Sequence, residues 1–121
     1  MSQKKALIVD DSTVTRLMIR KIISEKYPNW EILEAESADK AKSILPEHPD
    51  IDLFSLDQNM PGTLSGLDLV GILKSNYPNT KIMLITANIQ DAIKNKAKDL
   101  AIVFIEKPVT AEKIIPELEN L

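Results

Sequence analysis

Short apolar runs recur along this chain, and most of them stop at a residue that carries charge or a hydroxyl. Ala6 to Val9 stops at Asp10-Asp11, and Ile51 to Leu56 stops at Asp57. Lys81 to Ile85 stops at Thr86-Ala87, and Ala101 to Ile105 stops at Glu106-Lys107-Pro108. A further run, Glu31 to Ala35, is more polar, as befits a strand at a sheet edge. Between the runs, apolar residues return at helical spacing: Val14, Leu17, Met18, Ile22 and Ile23, then Ala38, Ala41, Ile44 and Leu45, then Leu67, Leu69, Val70, Ile72 and Leu73. A weakly apolar helix is expected from Asn88 to Leu100 and a final helix after a Thr110 cap. Strands buried on both faces that alternate with helices require a parallel sheet covered on each side. Right-handed crossovers then favour a three-layer αβα sandwich, doubly wound, with five strands in the order 2-1-3-4-5.

A length of 121 residues suits one domain over 1–121, with no room for an effector domain. Hydrophobic content of 44% against 27% charged residues is the balance of a soluble globular protein. A net charge of −3 argues against a nucleic-acid surface, which would be basic. The absence of cysteine excludes disulfides, thiol nucleophiles and thiolate metal sites. The first apolar run is too short for a signal peptide or a membrane span, so a cytoplasmic protein without membrane insertion is expected.

The parallel fold would gather the strand ends at one edge of the sheet. Asp10 and Asp11 follow the first strand, Asp57 the third, Thr86 the fourth and Lys107 the fifth. Ligands bind at that carboxyl edge in open α/β sheets. Carboxylates about 4 Å apart repel by about 4 kcal/mol per pair at an effective dielectric of about 20. Such a cluster invites a hard divalent cation, and oxygen ligands favour Mg²⁺ or Mn²⁺ over Zn²⁺. With Thr86 and Lys107 as donors and Asp57 as nucleophile, the set has the parts that phosphoryl transfer needs.

On these residues the chain resembles a response-regulator receiver domain over essentially its whole length. Asp10 and Asp11 match the family's acid pair, Asp57 its phosphoacceptor, Thr86 its hydroxyl and Lys107-Pro108 its Lys-Pro step. The resemblance implies that Asp11, Asp57 and the carbonyl of Asn59 bind Mg²⁺ directly and Asp10 through water. It further implies that Thr86 and Lys107 hold the phosphoryl oxygens, that small Ala87 keeps the site open, and that Lys107-Pro108 is cis. Once Asp57 is phosphorylated, Thr86 would move and Phe104 would enter the space it leaves, with a downstream protein reading the helix-four, strand-five, helix-five face. The phosphoryl donor would be a histidine kinase or phosphotransfer protein. The expected role is that of a stand-alone signalling phosphoacceptor, not an enzyme.

Several positions depart from the family's pattern. The turn Pro61-Gly62-Thr63-Leu64-Ser65-Gly66 is one residue longer, Asp99-Leu100-Ala101 lacks a glycine, Val109 replaces a frequent Phe, and Phe104 stands where Tyr is common. Pro116 falls inside the final helix, where it removes a hydrogen bond and crowds the preceding turn. Asn59 and Asn88 flank the phosphoacceptor and the Thr, where they serve either turn and cap chemistry or the rate of dephosphorylation. His48 is expected in an exposed loop at the far end of the sheet, Trp30 as a packing residue, and Lys94, Lys96 and Lys98 as a solvated face. The rival reading is a haloacid-dehalogenase-type phosphatase, but its acid pair follows the Lys in sequence, whereas here the pair precedes Asp57. A flavin or phosphate module built on Ser12-Thr13-Val14-Thr15 would need a glycine there, and none is present.

Overall fold

The computed structural model describes residues 4–119 and 121; the outermost positions of the expected domain, 1–3 and 120, lie outside the described residues. The elements run β1 (Lys5–Val9), α1 (Thr13–Lys26), β2 (Glu31–Ala35), α2 (Ala38–Ile44), a 3-10 turn (Leu45–Glu47), β3 (Leu53–Leu56), α3 (Gly66–Asn76), β4 (Lys81–Thr86), α4 (Asp91–Asp99), β5 (Val103–Glu106) and α5 (Ala111–Glu119). The strands form one parallel sheet in the order β2-β1-β3-β4-β5. This is the expected doubly wound fold.

Strand alternation divides the core into two layers. Leu7, Val9, Phe54, Leu56, Ile82 and Leu84 face α2, α3 and α4, where they meet Ala38, Ala41, Leu69, Val70, Leu73 and Ala97. Ala6, Ile8, Leu53, Met83, Ile85 and Ile105 face α1 and α5, where they meet Ile19, Ile23, Ile114 and Leu118. Phe54 is fully buried and meets Tyr77 edge to face, with ring centroids 5.1 Å apart. Burying such a side chain stabilises the fold by about 2–3 kcal/mol. Caps set the helix starts: Ser12, Ser37 and Ser65 each accept a backbone N–H at the start of α1, α2 and α3, and Asp68 closes a capping box with Ser65.

Several expectations need correction. The inward face of α1 is Ile19 and Ile23, whereas Val14, Leu17 and Met18 are 67%, 62% and 40% exposed. Polar contacts turn the helix: Arg16 and Arg20 lean onto β2 and ion-pair with both oxygens of Glu34 at 3.0 and 2.7 Å. β3 starts at Leu53, not Ile51, because Asp52 turns aside to bond Lys5 through backbone and side chain. α4 starts at Asp91, since Asn88 is spent on a turn: its N–H donates to Thr86 Oγ1 and its Oδ1 accepts from Gln90. β5 starts at Val103 because Ala101 takes a left-handed φ of 57° to end α4. There the N–H groups of Ala101 and Ile102 bond back to Lys98 and Ala97, an arrangement usually given to glycine, at a cost of about 1 kcal/mol.

His48 is half-buried rather than exposed, with Nδ1 3.3 Å from Lys5 Nζ and its carbonyl accepting from the Tyr77 hydroxyl. It does lie at the end of the sheet away from Asp57, beside the start of β1. Trp30 just precedes β2 and stacks on Tyr27 at 5.0 Å. Lys94, Lys96 and Lys98 are exposed, and α5 runs its full length through the exposed Pro116.

Candidate functional site

The ends of β1, β3, β4 and β5 meet at one edge of the sheet, and the polar residues beyond them form a single cleft. Asp57, Asn59, Thr86, Ala87, Asn88 and Lys107 line an open space of about 530 Å³. Asp57 is also one of three acids that cluster here: one carboxylate oxygen from each of Asp10, Asp11 and Asp57 lies within 4.8 Å of the others.

Backbone pairing places Asp10 and Asp57. Asp57 N donates to Val9 O at 3.0 Å, and Asp10 N donates to Ala35 O at 3.1 Å, so both residues continue the sheet one step past its last paired strand residues. Asp10 is 2% exposed and Asp57 6%, while Asp11 is exposed. Asp10 Oδ1 accepts from Ser12 N at 2.8 Å, and Asp57 Oδ1 accepts from Gln58 N at 2.8 Å. Burial pushes the Asp10 carboxyl up, helped by the Asp57 charge and opposed by Ser12 N–H and Lys107.

Lys107 bridges the two buried acids, with Nζ 3.1 Å from Asp10 Oδ2 and 3.3 Å from Asp57 Oδ2. Burial alone would lower the Lys107 ammonium, but the two carboxylates together hold it above the usual lysine value. Its backbone is set by Lys107 N donating to Thr86 O at 3.0 Å, and the peptide to Pro108 is cis. The acids and the lysine expected at this edge therefore do converge. Thr86, 1% exposed, uses its Oγ1 to accept from Asn88 N at 3.1 Å. Asn88 Nδ2 in turn reaches Asn59 Oδ1 at 3.4 Å across the mouth of the cleft.

Phe104 is half-buried and packs with the core layer on the α4 side. It pairs with Leu84 while Glu106 pairs with Thr86, which puts Phe104 and Thr86 on the same sheet face two positions apart.

Oxygen donors alone make up the acid cluster, and the single histidine is held by Lys5 and Tyr77 at the other end of the sheet. Three carboxylate oxygens gathered within 4.8 Å, with no sulfur or imidazole among them, are a donor set suited to a hard divalent cation.

Three supports of this site escape sequence reasoning. Gly66 lies against the Asp57 carbonyl, where a Cβ would come within 2.2 Å of the oxygen. Buried Gln58 ties β3 to α3, its carbonyl and Oε1 accepting from Gly66 N and Leu67 N at 3.0 and 2.8 Å. The longer turn after Pro61 is clasped to α2, since Thr63 donates its N–H and hydroxyl to the two oxygens of Asp39. A glycine just after the Ser65 cap was a usable signal for the first; the other two leave none.

Comparison with known proteins agrees with this geometry. The family described as the response regulator receiver domain matches residues 6–119. The chain is 35% identical to a chemotaxis protein CheY of Listeria monocytogenes, covering 96% of each. It is 30% identical to a glycerol metabolism activator of Pseudomonas putida, covering 97% of this chain and 53% of the relative, so it spans about half of that protein. Among solved structures, the response regulator protein TrrA of Thermotoga maritima in complex with Mg(2+)-BeF superposes with a TM-score of 0.83 at 25% identity, covering 98% of each chain.

Proposed function

Because the chain belongs to the response regulator receiver domain family, and so serves two-component phosphorelay signalling, we propose that Asp57 is the residue that takes the phosphoryl group. The observation that carries this reading is the buried carboxylate of Asp57, 3.3 Å from Lys107 Nζ and clustered with Asp10 and Asp11. An Asp57 oxygen attacks phosphorus in line as the P–N bond to a donor histidine breaks. The electron pair leaves on the imidazole nitrogen, which takes up a proton. Lys107 meets the charge on the transferring oxygens, and the Thr86 hydroxyl rotates from its acceptor role to donate a hydrogen bond. Asp11, Asp57 and the Asn59 carbonyl would hold Mg²⁺, or Mn²⁺ in its place, with Asp10 acting through water. The cation supplies charge neutralisation that lets an anionic donor approach three carboxylates. Ala87, exposed beside the cleft, leaves room for the donor.

When Thr86 turns toward the phosphoryl group, Phe104 gains space to swing inward on the same face of the sheet. The changed α4–β5–α5 face is the surface offered to a downstream protein, so the role is signalling rather than turnover of a substrate. A donor protein must also cover the mouth of the cleft. The exposed Val14, Leu17 and Met18, one helical face of α1 directly after the acid pair, suit an apolar contact with it. The phosphatase alternative is not favoured, since the acid pair precedes the nucleophile and the receiver family covers residues 6–119. Among the described residues no helix is long and apolar enough to cross a membrane.

The chemical nature of the adduct tests this reading. After treatment with a small P–N phosphodonor and Mg²⁺, hydroxylamine should convert Asp57 to a hydroxamate. A hydroxylamine-resistant phosphate on a serine or threonine would overturn it.

A further inference from the structure

Arg16 sits behind the acid pair and spends its guanidinium on three different pieces of the chain. Nη1 donates to the carbonyl of Asp10 at 2.5 Å, Nε to Glu34 Oε1 at 3.0 Å, and Nη2 to Thr13 Oγ1 at 3.3 Å. The side chain is 15% exposed; its bond to the Asp10 carbonyl is partly buried, while those to Glu34 and Thr13 lie at the surface. Glu34 is itself immobilised, because Arg20 Nε holds its other oxygen at 2.7 Å and Arg20 Nη2 bonds Ile32 O at 3.0 Å.

The carbonyl that Arg16 grips belongs to the peptide unit joining Asp10 to Asp11. The orientation of that peptide fixes the angle at which the two carboxylates diverge. The N–H of Asp10 is tied to the same strand, β2, through Ala35 O. Both sides of Asp10 are thus referenced to the sheet edge, and the guanidinium supplies one of the two ties. A planar fork suits this task, since it serves a carbonyl and a carboxylate at fixed relative positions.

We propose that Arg16, anchored by Glu34, is a positioning residue for the divalent-cation site: it sets the peptide between Asp10 and Asp11 and thereby the grip of the acid pair on Mg²⁺. This rests on the metal-binding reading above. Simple electrostatics makes the opposite forecast, because removing a cation near three carboxylates should tighten Mg²⁺ binding. The sign of the effect therefore decides between a positioning role and a mere neighbouring charge.

The experiment is calorimetric titration of the full chain with Mg²⁺ alone, without any phosphodonor, alongside thermal unfolding in chelator. Arg16→Met keeps the apolar stem and should weaken Mg²⁺ binding roughly tenfold, the low end of what loss of outer-shell support costs. Arg20→Met also loses a charge but reaches Asp10 only indirectly, through Glu34, so it should weaken Mg²⁺ binding far less than Arg16→Met does or leave it at the wild-type value. Arg16→Lys keeps the charge without the fork and should fall between wild type and Arg16→Met; it carries the test if the methionine variant does not fold. Mg²⁺ binding unchanged or tightened in the Arg16 variants, or weakened equally in Arg20→Met, overturns the proposal. A wild-type chain that binds no Mg²⁺ removes the metal reading itself, and this inference with it.

Discussion

Gly66 and the Asp57 carbonyl are in such close contact that no side chain fits between them. A Cβ on residue 66 would lie 2.2 Å from Asp57 O and 2.9 Å from the carbonyl carbon, and both are backbone atoms that cannot swing aside. The first turn of α3 is thereby pressed against the peptide that carries the nucleophile. Gly66→Ala should cost about 2–3 kcal/mol of stability through forced overpacking. It should also lower the rate of phosphorylation of Asp57, because the strain falls on that residue's own backbone. Denaturant unfolding and label incorporation check the two effects, and an alanine variant of wild-type stability would show that α3 can withdraw freely.

Removing one charge from the acid cluster should have opposite effects on stability and on metal binding. Burial and the neighbouring Asp57 together outweigh the help that Asp10 receives from Ser12 and Lys107, since its carboxyl is pushed up on balance. Asp10→Asn should therefore raise the melting temperature in chelator, by roughly 3–5 °C for a gain of about 1 kcal/mol, and weaken Mg²⁺ binding. A lower melting temperature would mean that the Lys107 bridge, at 3.1 Å, contributes more than the repulsion takes away.

Glu34 gives a pH signature. Burial alone would raise its carboxyl, but Arg20 and Arg16 override that and hold it below the usual range. A folded-state value below the unfolded one contributes stability at pH above the unfolded value, about 4.3, and that contribution is lost as pH falls through the folded value. With the pair partly solvated, Glu34→Gln should cost no more than about 1 kcal/mol at pH 7. The gap to wild type should close as unfolding is repeated toward pH 3. A gap that widens on acidification would contradict the pairing.

The exposed face of α1 separates protein donors from small ones. Leu17 is 62% exposed, so Leu17→Glu should leave folding within about 0.5 kcal/mol of wild type. Phosphotransfer from a donor protein should fall at least tenfold, equivalent to about 1.4 kcal/mol, while labelling by a small phosphodonor stays unchanged. Equal losses with both donors would place the defect inside the cleft instead.

The strand ends could be read in advance because a parallel sheet exposes one edge to chemistry and buries the rest. An apolar run that stops at Asp10, Asp57 or Thr86 therefore marks both a strand and a site. The orientation of α1 could not be read that way. A count of apolar residues at helical spacing favours Val14, Leu17 and Met18, yet the helix is turned by ion pairs from Arg16 and Arg20 to a strand 14 to 18 residues away. The element ends at Ile51, Asn88 and Ala101 moved for a similar reason, since local polar bonds or a left-handed residue decided them. Gln58 and the Asp39–Thr63 clasp support the site through paired hydrogen bonds that no periodicity records.

Intact mass spectrometry of the chain after incubation with a small P–N phosphodonor tests the central claim most directly. One added phosphoryl group is expected with Mg²⁺, little or none in chelator, and none in Asp57→Asn. An adduct that forms equally without the cation, or that persists in Asp57→Asn, would contradict the account.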